Sequence, residues 1–197
     1  MKKIRILVVE DEGIIAADLA SILRRLGHEV VDIVLMGVDA IAQAEQLRPD
    51  LVLMDIMLAG DMDGVAAAGE IRRRCHLPVL FITAHTDPAT LSRAKLAEPY
   101  GYIAKPVVER YLRVGIEMAL HKHAMELRLA ESEQWFSTTL ASIGDAVIAT
   151  DARGKVSFMN PLAEQLTGWS SSEAEGVDLV FAPDGIESLV YNAGDLA

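Results

Sequence analysis

Over its first 120 residues the chain alternates between short apolar runs and stretches in which apolar residues recur at helical spacing. Five runs lack regular polar alternation, which is typical of strands buried on both faces of a parallel sheet: Ile4–Val9, Val30–Leu35, Leu51–Met54, Val79–Ile82 and Tyr100–Ala104. The helical patterns between them are Ile15–Leu26, Val38–Leu47, Val65–Arg74 and Pro88–Ala97. Five strand–helix units of this length predict a doubly wound α/β domain with right-handed crossovers.

A long helical stretch follows, opening at Pro106 and running to about Leu140. Along it a set of residues falls on a 4-3-4-3 spacing: Ile116, Leu120, His123, Leu127 and Ala130. This spacing is compatible with a short coiled-coil seam. It is equally compatible with a last helix that packs on the sheet and continues as a solvated linker, so both interpretations stay open.

Beyond Ser142 the pattern becomes strand-like again. Ala146–Thr150 and Val156–Met159 flank a turn at Asp151–Lys155, which predicts a β-hairpin. Pro161–Leu166 then predicts a short helix that ends at Gly168. The remaining residues, 169–197, carry only weak patterning.

Composition places the chain among ordinary soluble proteins, with 51% apolar and 24% charged residues. Because 29 acidic residues face 18 basic ones, the net charge of −11 disfavours nucleic acid and anionic lipid as partners. The first apolar run ends at Val9 and is followed by three acidic residues, whereas a secretory signal would continue as a longer apolar region. No apolar run reaches the roughly 18 residues of a membrane span. We therefore expect a cytoplasmic protein.

Polar side chains follow four of the five predicted strands, namely Glu10 and Asp11, Asp55, Thr83 and Lys105. If the strands take the flavodoxin-like order 2-1-3-4-5, strands one and three are neighbours, which would bring Asp11 and Asp55 together. Clustered carboxylates repel each other, and a hard divalent cation such as Mg²⁺ removes that conflict. A lysine and a hydroxyl beside such a cation make a phosphoryl-binding site, in which Asp55, at the end of the central strand, is the best candidate nucleophile.

The same stretches resemble, as a set, a response-regulator receiver domain over residues 1–120. The matching segments are Leu7–Glu12 (LVVEDE), Leu51–Leu58 (LVLMDIML), Met62–Gly64 (MDG), Phe81–His85 (FITAH) and Gly101–Pro106 (GYIAKP). The resemblance implies a flavodoxin-like five-stranded parallel sheet and a cis Lys105–Pro106 bond. It also implies a place in two-component phosphorelay signalling.

For the site, the resemblance implies that Asp55 is the phosphoacceptor, forming an aspartyl phosphate. Glu10, Asp11, Asp55 and the backbone carbonyl of Met57 would hold Mg²⁺. Thr83 and Lys105 would contact the phosphoryl group. The aromatic ring of Tyr102 would change rotamer on signalling, together with Thr83.

One loop departs from the family pattern, which has a proline where Ala59 stands. The usual loop is also one residue shorter before Met62-Asp63-Gly64. The loop is therefore expected to differ in shape, although no proposed site residue is lost.

A second segment, Ile143–Gly176, resembles the start of a PAS domain. The likeness fades after Gly176, so we expect a partial α+β PAS-like segment. The predicted organisation of the chain is a receiver domain at 1–121, a helical linker at 122–140 and the PAS-like segment at 141–197. The single cysteine, Cys75, lies in the receiver domain and no histidine follows His123, which argues against a flavin photoadduct or haem in the second segment. No cofactor other than Mg²⁺ is expected.

The predicted function is that of a phosphoacceptor response regulator, not an enzyme, served by a sensor histidine kinase or a phosphotransfer protein. Self-association through the C-terminal helix is a further expectation. Two alternatives stay open, an N-terminal fragment of a hybrid sensor histidine kinase and an interaction module that works without phosphorylation. A haloacid-dehalogenase-like phosphatase is disfavoured because Met57 stands where a second acid is needed, and a flavin-nucleotide carrier because Glu10-Asp11-Glu12 would repel a phosphate.

Overall fold

The computed structural model describes residues 3–84, 99–142 and 144–179. The first part of the chain contains β1 (Arg5–Val9), α1 (Gly13–Arg25), β2 (Glu29–Val34), α2 (Gly37–Leu47), β3 (Leu51–Asp55), α3 (Gly64–Cys75), β4 (Val79–Thr83) and β5 (Gly101–Ala104). It continues with α4 (Glu109–Ser142), β6 (Ile148–Thr150), β7 (Val156–Met159), α5 (Pro161–Thr167) and α6 (Ser171–Ala174). The helix predicted over Pro88–Ala97 lies outside the described residues.

The chain divides into two compact units, Met1–Leu127 and Arg128–Ala197. The first is built on a parallel sheet of order β2-β1-β3-β4-β5, which confirms the predicted flavodoxin-like topology. Because Asp55 pairs with Ile82 and Thr83 with Ala104, neighbouring strands end at nearly the same level. The residues that follow β1, β3 and β5 therefore meet at one edge of the sheet.

The core lies on both faces of this sheet, because successive strand residues point to opposite sides. In β3, Val52 and Met54 join a cluster with α2 and α3, whereas Leu51 and Leu53 join a cluster with α1 and α4. All four are fully buried. The continuous apolar runs in the sequence therefore reflect two hydrophobic faces.

The two edge strands are an exception to the expected burial on both faces. Residues Glu29–Ile33 of β2 are only partly buried, and β5 alternates between buried and more exposed positions. An edge strand has a neighbour on one side only, and Asp32 in β2 and Tyr102 in β5 fit that half-open environment. The prediction of full burial is right for the three inner strands and wrong for these two.

The beginning of α4 packs on the sheet. Leu112, Ile116 and Ala119 are buried in the cluster that contains Leu80 and Ile82, and Leu120 packs against the same cluster. For this portion of the helix the sheet-packing interpretation is right and the seam interpretation is wrong.

His123 and Glu126 of α4 both contact Tyr100, the residue directly before β5. The hydroxyl of Tyr100 donates to the Glu126 carboxylate and lies 3.1 Å from Nδ1 of His123. The Nζ of Lys122 stands 5.2 Å from the centre of the Tyr100 ring. This cluster fastens α4 beside the start of β5.

The second unit contains the predicted hairpin, with β6 and β7 antiparallel. Asn160, fully buried, follows β7 and caps α5 by accepting a hydrogen bond from Ala163 N at 2.9 Å. Its side chain also accepts from Val147 N and donates to the carbonyl oxygens of Leu140 and Asp145. One amide thus joins the last turns of α4, the segment before β6 and the start of α5.

Candidate functional site

The candidate site lies at the carboxyl edge of the sheet, where β1, β3 and β5 deliver acidic and basic side chains to one place. Glu10 is fully buried and Asp55 is 5% exposed. Nζ of Lys105 lies 2.6 Å from Oδ2 of Asp55 and 2.9 Å and 2.8 Å from the two carboxylate oxygens of Glu10. The sequence-predicted residues Glu10, Asp55 and Lys105 are therefore brought together.

Burial and charge act in opposite directions on these groups. Burial raises the pKa of the Glu10 carboxyl above its ordinary value, and repulsion from Asp55 adds to this, while Lys105 partly offsets both. Burial also works against the charge of Lys105, but its hydrogen bonds to Asp55 and Glu10 prevail and raise the pKa of its ammonium. Lys105 therefore remains a cation in contact with its acidic neighbours.

Asp11 completes a group of three carboxylates. Carboxylate oxygens of Glu10, Asp11 and Asp55 all lie within 4.8 Å of one another. Carboxylate oxygens are ligands that Mg²⁺ prefers, and Asp11 is only partly buried, so the group would be open to solvent on its side. The donor set fits the acidic cluster through which receiver domains generally bind Mg²⁺.

The other predicted site residues lie nearby in the fold. Thr83 is buried at the end of β4, and its carbonyl accepts from Lys105 N at 2.8 Å. The backbone N–H of Met57 donates to Oδ1 of Asp55 at 3.0 Å, while the Met57 side chain is half exposed. The Lys105–Pro106 bond is cis, as the resemblance implies.

Tyr102 lies within β5, with its ring half exposed and stacked on Phe81 at a centroid distance of 5.8 Å. Partial burial of the side chain raises the pKa of the Tyr102 phenol. No hydrogen bond between Tyr102 and the carboxylate group is present among the described residues.

The start of α3 fixes the backbone beneath the site. A Cβ built on Gly64 would stand 1.8 Å from the carbonyl oxygen of Asp55, so only glycine fits this close approach. Asp63 caps the helix by accepting from Ala66 N at 2.9 Å. The Met62-Asp63-Gly64 motif thus holds the end of β3 and the beginning of α3 together.

Sequence reasoning missed two contributors to these sites. The first is the backbone N–H of Ala59, which donates to Oδ2 of Asp11 at 3.2 Å. No sequence pattern predicts a main-chain donor in a loop of unusual length. The second is Asn160, whose side chain caps α5. An asparagine directly before a proline that opens a helix is an N-cap signature, which could have identified its role.

A parallel 2-1-3-4-5 sheet with an acidic group and a lysine at its carboxyl edge defines the response-regulator class of receiver domain. The family model "Response regulator receiver domain" matches residues 6–117, and the chain belongs to that family. A PAS fold model matches residues 135–182, so the receiver domain is followed by a PAS segment. Both predicted resemblances are confirmed, and with them membership of two-component signalling.

Among curated proteins the chain is similar to the transcriptional regulatory protein PdtaR of Mycobacterium tuberculosis. They are 36% identical over 118 residues, 60% of this chain and 57% of the relative. It is also 36% identical over 116 residues to the phyllosphere-induced regulator PhyR of Methylorubrum extorquens, covering 58% of this chain and 43% of the relative. The chain spans about half the length of these curated relatives.

Among solved structures, the signal receiver domain of a modulated diguanylate cyclase from Desulfovibrio desulfuricans G20 is 43% identical. The match has a TM-score of 0.61 and covers 64% of this chain and 99% of that chain. The likeness therefore extends over a complete receiver domain.

Proposed function

We propose that this chain is a phosphoacceptor response regulator in which Asp55 accepts a phosphoryl group from a phosphohistidine. The donor is a sensor histidine kinase or a phosphotransfer protein, the partner that a receiver domain implies in general. The observation that carries the proposal is the contact of Lys105 Nζ with Asp55, 2.6 Å, inside a group of three carboxylates. The proposal includes a cytoplasmic location, in line with the soluble character of response regulators.

In the proposed transfer, a carboxylate oxygen of Asp55 attacks phosphorus. The P–N bond to the donor imidazole breaks, and the imidazole leaves with the bonding electron pair. Mg²⁺ would be held by Glu10, Asp11, Asp55 and the Met57 carbonyl. When bound, it would neutralise the phosphoryl oxygens and fix their orientation.

The chain's own residues prepare this attack. Met57 N–H holds Oδ1 of Asp55, which fixes the rotation of the carboxylate. Lys105, which stays charged, neutralises one phosphoryl oxygen, and the Thr83 hydroxyl hydrogen-bonds another. The role is that of an acceptor with one group bound per transfer, not of an enzyme with a separate substrate.

Access for the donor is supported by an apolar groove of about 630 Å³ that opens beside Lys105. Ile14, 88% exposed, lies on it together with Ile15 and Val107. A donor that delivers a phosphohistidine to Asp55 must contact the surface next to the crevice, and the exposed side chain of Ile14 there favours a protein surface of matching apolar character.

The proposed output passes through α4, whose outward face carries exposed apolar residues. Tyr111, Val114, Met118 and Met125 are separated by three, four and seven residues, which is heptad spacing, and all four side chains are exposed. We propose that this face pairs in parallel with the same face of a second copy. In that register Glu117 of one copy lies opposite Lys122 of the other, and opposite charges at these flanking positions favour the pairing.

The test of the acceptor role is intact-mass spectrometry after incubation with Mg²⁺ and acetyl phosphate. Wild type should gain one phosphoryl mass, Asp55→Asn should gain none, and Asp61→Asn, a matched change in the exposed loop next to the site, should behave as wild type. An adduct that persists in Asp55→Asn would contradict the assignment of the acceptor. No adduct on any of the three would favour signalling by binding alone.

A further inference from the structure

The loop from Asp55 to Gly64 is longer than the receiver pattern and lacks its proline. In this loop the N–H of Ala59 donates to Oδ2 of Asp11 across 48 positions of the chain, at 3.2 Å. Gly60 follows with φ +103°, in the left-handed region that favours glycine. The hydrogen bond places the main chain of Ala59 beside Asp11, one of the three clustered carboxylates.

The contact depends on the residue that departs from the pattern. Proline has no backbone N–H, so a proline at position 59 could not make this hydrogen bond. Glu10 and Asp55 are held by Lys105, and Met57 holds Asp55 as well. Among the residues that the structure describes, Ala59 is the hydrogen-bond donor to Asp11.

We propose that Ala59 is a positioning residue of the cation site, whose backbone N–H orients the Asp11 carboxylate toward Glu10 and Asp55. The inference rests on the proposed function, since it takes Asp11 as a ligand of Mg²⁺. One oxygen of Asp11 accepts from the N–H, which leaves the other for a cation and holds the carboxylate in one orientation before the cation binds. The departure from the proline pattern therefore strengthens binding of the cation.

Outer hydrogen bonds to metal ligands typically change metal affinity by 10- to 100-fold. The Ala59 bond is exposed and longer than most, so we expect a smaller effect of about 3- to 10-fold. The change should appear in binding of Mg²⁺ itself, without any phosphoryl donor.

The experiment is isothermal titration calorimetry of Mg²⁺ into the full chain. Ala59→Pro should bind Mg²⁺ about 3- to 10-fold more weakly than wild type. Ala59→Ser, which keeps the N–H, is the matched control and should bind as wild type. Circular dichroism without Mg²⁺ establishes that each variant is folded.

A double-mutant cycle with Asp11→Asn separates positioning from distortion of the loop. If Ala59 acts through Asp11, Ala59→Pro should cause little further loss in the Asp11→Asn background. Equal affinities of wild type and Ala59→Pro, or a loss that adds fully to that of Asp11→Asn, would overturn the inference while leaving the cation site intact. If wild type binds no Mg²⁺, or Asp11→Asn binds it as well as wild type, the assignment of Asp11 fails and the inference fails with it.

Discussion

Nζ of Lys105 lies 2.6 Å from Oδ2 of Asp55, although 50 positions separate the two residues in the chain. The same Nζ is within 2.9 Å of both carboxylate oxygens of Glu10. The Lys105 side chain is 11% exposed, and those of its partners 7% and 0%, so this ammonium is the buried counter-ion of two carboxylates.

Replacing Lys105 by methionine should lower the free energy of unfolding by about 3 kcal/mol at neutral pH, because two buried carboxylates lose their cation. The loss should be greatest above the ordinary carboxyl pKa and should shrink as the pH falls, because Glu10 then takes up a proton in the folded protein. Urea denaturation between pH 5 and 8, without divalent cations, measures the effect.

Lys3→Met is the matched control for this change, because Lys3 pairs with Glu29 in an exposed ion pair at 2.9 Å. Exposed pairs contribute about 0–1 kcal/mol. A loss for Lys105→Met no larger than for Lys3→Met would show that the buried contacts do not stabilise the fold.

His28, 5% exposed, should make stability depend on pH near neutrality. Neither of its ring nitrogens has a hydrogen-bond partner among the described residues. Burial lowers the pKa of this imidazole, and the charge of Glu117 only partly opposes the shift. The unfolded chain therefore binds more protons in this window, and stability should fall as the pH drops below about 6.5.

His28→Leu should flatten this pH dependence and stabilise the protein by about 1 kcal/mol below pH 6, because no buried polar atom remains unsatisfied. Thermal unfolding at pH 5.5, 6.5 and 7.5 gives the comparison. His76→Asn, at an exposed histidine directly after α3, serves as control. An unchanged slope in His28→Leu would assign the pH dependence to other groups.

Asn160→Ala should destabilise the second unit by more than 2 kcal/mol, because a buried amide with two donated and two accepted hydrogen bonds is lost. In a Trp135→Phe background, fluorescence of Trp169, which packs against the core of this unit, reports its unfolding. Ser157→Ala, whose hydroxyl donates one exposed bond at 3.3 Å, should change little. Equal midpoints for the two variants would contradict the role of Asn160 as a junction.

Met118→Glu should convert a dimer into a monomer if the outward face of α4 pairs with its copy. Met118 is 66% exposed in the single chain, so the change should leave the fold intact. Light scattering after size-exclusion chromatography measures the mass. Arg113→Glu introduces the same residue outside the heptad stripe and should remain dimeric, and a wild-type monomer at high concentration would contradict the pairing.

The strands and the meeting of Asp55 with Lys105 could be predicted, because apolar runs mark buried strands and parallel strands end together. The strand order was implied by the resemblance to a receiver domain. The bond from Ala59 to Asp11 could not be predicted, because it depends on the path of a main chain through a loop. The 4-3-4-3 spacing also allowed His123 to lie in a coiled-coil seam. In the structure His123 contacts Tyr100 instead. Residue spacing identifies one face of a helix, but it does not identify what packs against that face.

The charges at the carboxyl edge of the sheet also bear on the order in which a divalent cation and a phosphoryl donor bind. Three carboxylates and one ammonium leave the crevice with two formal negative charges. An incoming phosphoryl group is itself an anion and is repelled until those charges are balanced. We expect phosphorylation to show ordered kinetics, with a divalent cation bound before the donor.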